Sequence, residues 1–176
     1  NETMEAAKQT ILEKNPTLEN SDVVAKQVGI GAVLFNDLKN DRLNDIEFSI
    51  EQMLTFEGET GPYVQYTNAR IHTLLEKADF KAHTAPLQAI DDTLWPLIKV
   101  LETFEATIAR AYTQADPSQI AKFSLQLSRT INKFYGQQKV LTQDDTQQDR
   151  LTVLYAASII LEQCLNLLGI EAPAHM

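Results

Sequence analysis

The sequence predicts an all-α fold, a bundle of about four long helices with an extra helical segment at its N-terminal end. Three observations carry this. Apolar residues recur at helical spacing along most of the chain, no segment alternates with the two-residue period of a strand, and no repeat of solenoid length stands out. At 176 residues, 44% hydrophobic and 22% charged, the chain suits one domain with a proper core, or a domain plus a short extra segment.

Residues 3–14 read as a short amphipathic helix that stops before Asn15-Pro16. Ser21-Asp22 can cap a second helix, in which Val24, Val28, Val33 and Phe35 point to a core. Gly29 and Gly31 weaken that helix, so their presence predicts close approach by another backbone. Residues 40–54 read as a polar loop followed by a short apolar segment whose type the pattern leaves open. Thr60 is an N-cap, Pro62 falls in the first turn where its missing N–H costs nothing, and the helix runs to about Ala78.

A linker containing Pro86 precedes a helical stretch over 91–112, where Pro96 marks either the first turn or a kink. Asp116-Pro117-Ser118 ends it and opens a helix reaching about Gln137. The last helix, about 147–168, carries Leu151, Val153, Leu154, Tyr155, Ile159, Ile160, Leu161, Leu165 and Leu168 on nearly every side. That is the pattern of a central buried helix, and Gly169 ends it.

Composition excludes several classes of chemistry. His72, His83 and His175 stand singly, without the paired spacing of a metal site, and Cys164 lies in an apolar run as a small buried hydrophobe. A lone cysteine suits a reducing compartment, and no apolar run reaches a membrane span, so a cytoplasmic protein with no metal and no membrane partner is expected. No phosphate-cradling glycine motif occurs; Gly-Ile-Gly at 29–31 is too short to count. Catalysis carried by this chain alone is therefore not expected. Asn1 in place of an initiator methionine suggests a piece of something longer.

Charge is more informative by position than by sum. The formal net charge of −9 argues against non-specific nucleic-acid binding, yet residues 60–75 and 117–143 contain no Asp or Glu. The second window carries Lys122, Arg129, Lys133 and Lys139. At 100° per residue, Lys122, Gln126, Arg129 and Lys133 fall within about 60° of one another, opposite Phe123, Leu127, Ile131 and Phe134. This stripe is either an ordinary solvated face or a track for phosphates. In the first window, Tyr63, Tyr66 and Arg70 share one helix side, beside the core stripe of Val64, Ile71, Leu75 and Ala78. The tyrosines are either half-buried packing residues or a stacking platform for unpaired bases with Arg70 alongside, and Tyr135 in K-F-Y-G could add a third ring.

Three blocks, V-G-I-G-A-V-L-F-N-D-L-K-N-D-R, F-E-G-E-T-G-P-Y-V-Q-Y-T-N-A-R and a closing L-L-G-I-E-A-P-x-x-M, resemble the C-terminal part of bacterial-type arginyl-tRNA synthetases of class I. The similarity runs from about residue 22 to Met176 and includes I-N-K-F-Y-x-x-x-x-V-L at 131–141 and D-R-L-T-V-L-Y-A-A. It implies an all-α anticodon-binding domain over 21–176, with 1–20 a helical remnant of the junction with a catalytic domain. The implied partners are the arginine tRNA anticodon stem-loop and that catalytic domain. The implied parent activity, ligation of arginine to tRNA with ATP and Mg, belongs to signatures that this chain lacks, so no cofactor is expected within it.

The resemblance further implies that the turn Phe56–Thr60, the helix bearing Tyr63, Tyr66 and Arg70, and Tyr135, Lys139 and Met176 form one RNA-facing surface. On that view Lys122, Arg129, Lys133, Lys139 and Arg70 hold the backbone, the three tyrosines stack on bases, and groups around Gly58, Glu59 and Thr60 with Gln65 or Asn68 read base identity. Two positions depart from the family pattern. The tail reads A-P-A-H-M where a Glu-Arg pair usually precedes Met, and Ile131 stands where an aromatic is common. The rival reading is a helical protein-interaction module without RNA binding, in which the same tyrosines and Arg70 would be hot spots.

Overall fold

A computed structural model describes residues 2–41, 48–83, 86–88, 90, 92–142 and 144–176. Among these residues there are eight helices and no strand: α1 (Glu2–Lys14), α2 (Ser21–Leu38), α3 (Ile50–Met53), α4 (Gly61–Lys77), α5 (Trp95–Glu102), α6 (Phe104–Gln114), α7 (Ser118–Gln137) and α8 (Gln147–Leu167). The four long helices expected are α2, α4, α7 and α8. Helix α4 packs against α2, α7 and α8, α7 also packs on α5 and α6, and the main core lies between them. Phe35, Val64, Ile71, Leu97, Leu127, Ile131, Leu154 and Leu161 are fully buried there. A second, smaller core joins α1, α2 and α3 through Ala7, Ile11, Val28, Ala32, Met53 and Leu54.

Local chemistry accounts for most boundaries. Thr60 Oγ1 accepts from the Tyr63 N–H at 3.1 Å, and Pro62 sits in the first turn of α4. Asp116 Oδ1 accepts from the Ser118 N–H at 3.0 Å to open α7. Gly169, at φ 73°, turns the chain out of α8 in a conformation that suits glycine. Gly29 meets another backbone as expected, a Cβ there standing 3.3 Å from Met4 Cα, whereas a Cβ at Gly31 would meet side chains, 2.8 Å from Gln65 Nε2 and 3.0 Å from Ile170 Cγ2.

Three expectations need correction. Ser21 is already helical; the cap of α2 is Asn20, in the left-handed region at φ 57° and without a side-chain cap bond. The stretch 91–112 is not one helix. Pro96 occupies a first turn as allowed, but α5 and α6 are separated at Thr103, whose hydroxyl donates to the Val100 carbonyl at 2.8 Å. Helix α8 is not buried all round, because Tyr155, Ile159 and Leu167 are 37%, 41% and 55% exposed. Its interior face meets α4, α5 and α7, and Phe80 covers part of Tyr155 at 5.6 Å between ring centroids. The polar loop expected from residue 40 lies partly outside the described residues.

Candidate nucleic-acid interface

The acid-free windows come together in space, since α4 and α7 are packed neighbours. A polar relay joins them. Asn132 Nδ2 donates to Tyr63 Oη at 3.1 Å and to Thr67 Oγ1 at 2.9 Å, while Asn132 Oδ1 accepts from Arg70 Nη1 at 2.8 Å. The relay holds the Arg70 guanidinium beside two rings, 4.9 Å from the Tyr135 centroid and 5.9 Å from that of Tyr66. A planar cation so fixed loses little rotamer freedom when a ligand arrives. Tyr66 is also packed against Phe56 at 5.5 Å.

These groups line a recess of about 390 Å³ formed by Tyr66, Ala69, Arg70, Thr73, Leu74, Lys77, Tyr135 and Met176. Tyr135 Oη is buried and has no hydrogen-bond partner among the described residues. Burial raises its phenol well above the usual tyrosine range, Arg70 opposing only in part, so it stays protonated and able to donate. The recess offers two aromatic rings, one guanidinium and one thioether, a set suited to a flat ring.

The predicted site residues separate into groups. Tyr66, Arg70, Tyr135 and Met176 share the recess. Tyr63 is half-buried, and its hydroxyl accepts from Asn132 Nδ2. Thr60 is occupied as a cap and donates to the Thr55 carbonyl at 2.6 Å, whereas Gly58 is exposed at φ 80° on the turn before α4. Gln65 and Asn68, expected to read base edges, are both 0% exposed. Gln65 Nε2 donates to the carbonyls of Gln27 (3.3 Å) and Glu171 (2.7 Å). Asn68 accepts from Ser158 Oγ at 2.7 Å and donates to Glu162 at 3.3 Å, beside a contact of 2.6 Å between His72 Nε2 and Glu162. Both amides stabilise helix packing and are withdrawn from the surface.

The basic stripe is real but partly occupied. Lys122, Arg129, Lys133 and Lys139 are all exposed. Arg129 Nη2 donates to Glu59 Oε1 at 2.6 Å, and Lys122 Nζ to Ser118 Oγ at 3.1 Å. The Arg129 hydrogen bond holds the Glu59 carboxyl below its usual range, so Glu59 is tied to the stripe. Sequence reasoning missed Asn132, Thr73 and Lys77. Lys77 was legible, lying seven residues beyond Arg70 on the same helix face. Asn132 carried no signal, because its role depends on the α4–α7 register.

An all-helical bundle with an aromatic and basic surface of this kind has the make-up of a helical nucleic-acid-binding domain, and the comparisons give its family. The family described as "DALR anticodon binding domain" matches residues 64–176, and the chain belongs to it. Residues 1–50 match a second family, "tRNA synthetases class I (R), catalytic domain". Among curated relatives, the chain is 48% identical over 175 residues to "Arginine--tRNA ligase" of Exiguobacterium sibiricum, covering 99% of this chain and 31% of that protein. It is also 48% identical over 177 residues to the protein of the same name from Latilactobacillus sakei, covering 100% and 31%. It thus spans about a third of the length of these relatives. The solved Thermus thermophilus arginyl-tRNA synthetase superposes with a TM-score of 0.92 at 31% identity, covering 99% of this chain and 31% of that one. The Plasmodium falciparum arginyl-tRNA synthetase, at 24% identity and TM-score 0.86, shares the fold.

Proposed function

We propose that this chain recognises the anticodon stem-loop of an arginine tRNA, as one part of an arginine–tRNA ligase. In that enzyme the ATP-dependent ligation belongs to the catalytic portion, whose family model this chain matches only over residues 1–50. The observation that carries the reading is the recess in which Arg70, held by Asn132, lies between the rings of Tyr66 and Tyr135. An unpaired base splayed from the loop stacks on such rings, while Lys133, Lys139 and Arg129 meet the backbone phosphates. Base identity falls to groups that line the recess, Thr73 Oγ1 and Lys77 Nζ among them, since Gln65 and Asn68 are buried.

Titrating arginine tRNA and an anticodon-substituted tRNA against the chain at two salt concentrations tests this. The expected result is salt-dependent binding that prefers the native anticodon. Binding that ignores the anticodon, or no RNA affinity at all, overturns the reading and leaves a protein-docking surface.

A further inference from the structure

The tail after α8 is tied down at almost every step. Ile170 enters the main core, Glu171 is held by Gln27 at its carboxylate (2.7 Å) and by Gln65 at its carbonyl (2.7 Å), and His175 Nε2 lies 3.3 Å from Glu76. The last tie is to α1's end: Asn15 Nδ2 donates to the Met176 carbonyl at 3.4 Å. Asn15 is itself oriented, because its Oδ1 accepts from Thr17 Oγ1 at 3.3 Å and its backbone N–H bonds the Ile11 carbonyl at 2.8 Å. Met176 also packs on the second core, and so does Phe56, the ring that backs Tyr66.

Methionine has three rotatable side-chain bonds, so a Met wall has a defined shape only where its backbone is held. At 3.4 Å the Asn15 bond is long, and it steers Met176 together with the packing on α1 and α2. We infer that Asn15 is a positioning residue for the recess, setting where Met176 stands against Tyr66 and Tyr135. One wall of the recess, and the support of another, then answer to helices outside residues 64–176. The inference rests on the recess being the base site proposed above, but its first readout does not.

Two variants, Asn15→Ala and Asn15→Asp, test it; the second keeps the shape but cannot donate. The Met176 methyl resonance, one of only three from methionine, is read in the free chain, where nearby rings shift it. Both variants should move that resonance toward the value of a free methionine. Both should also lower the preference for the native anticodon stem-loop on the order of three-fold, with the salt slope and far-UV circular dichroism unchanged. An unmoved methyl signal and unchanged preference in both folded variants overturn the inference. Tyr66→Ala run in parallel separates the failures. If it too leaves RNA binding untouched, the base-site reading falls, while the methyl signal still decides whether Asn15 holds Met176.

Discussion

Gly61→Ala tests the packing on which the interface stands. Gly61 opens α4 against α2, and a Cβ there would lie 2.7 Å from the Gly31 carbonyl oxygen, 2.9 Å from Phe35 Cβ and 3.1 Å from the Gly31 carbonyl carbon. Ordinary carbon–oxygen contacts start at about 3.3 Å, so α2 and α4 must separate by roughly 0.6 Å. Two of the three atoms are backbone and cannot rotate away. A gap of that size forfeits about a quarter or more of the contact energy along the seam, and overpacking of this kind costs about 1–3 kcal/mol. Alanine returns at most about 0.5–1 kcal/mol in backbone entropy, leaving a net loss of up to about 2.5 kcal/mol. Equilibrium urea unfolding reads this directly, and at this chain length each kcal/mol also lowers Tm by about 2–4 °C. Gly136→Ala is the control: nothing lies within 4 Å of its Cβ and it sits in α7, so it should stabilise by about 0.4–1 kcal/mol. A Gly61→Ala protein as stable as the Gly136→Ala protein would refute the close approach of α2 and α4.

Tyr66→Ala should weaken binding of the arginine tRNA anticodon loop by about 1–3 kcal/mol with the fold retained, measured by titration and circular dichroism. Lys133→Ala should remove about one phosphate contact, seen as a shallower salt slope at unchanged anticodon preference. Glu59→Gln should do the reverse, steepening the slope by about one contact, because it releases Arg129 from its 2.6 Å partner. The Glu59 carboxyl titrates below its ordinary value, so the pair holds at neutral pH and is lost as pH falls through that lowered pKa. A carbon-13 titration should show the Glu59 midpoint moving up in Arg129→Gln. Cys164 is buried and its thiol is pushed up to about 12, so at pH 8 a disulfide reagent should react only at the rate of unfolding.

What was legible in the sequence follows from which contacts are local. Thr60 with Pro62, and Asp116 before Ser118, act within one turn, so their residue types reveal the helix starts they make. The break at Thr103 and the cap at Asn20 have weaker chemistry, and neither position announced itself. Periodicity also overstated α8: Tyr155, Ile159 and Leu167 give it apolar sides that neighbours cover only in part, because a helix count fixes no neighbour on each face. The interface divides the same way. Tyr66 and Arg70 share a face by spacing alone, whereas the fates of Gln65 and Asn68 depend on Glu171 and Ser158, about 90 residues or more away in sequence. Polar residues next to a binding stripe read as ligand contacts from sequence and prove to be the hydrogen bonds that let α4 lie against α8 and the tail. The rings can be a fixed platform because those amides face inward: a helix that presents rings to a ligand on one side must be held without slack on the other.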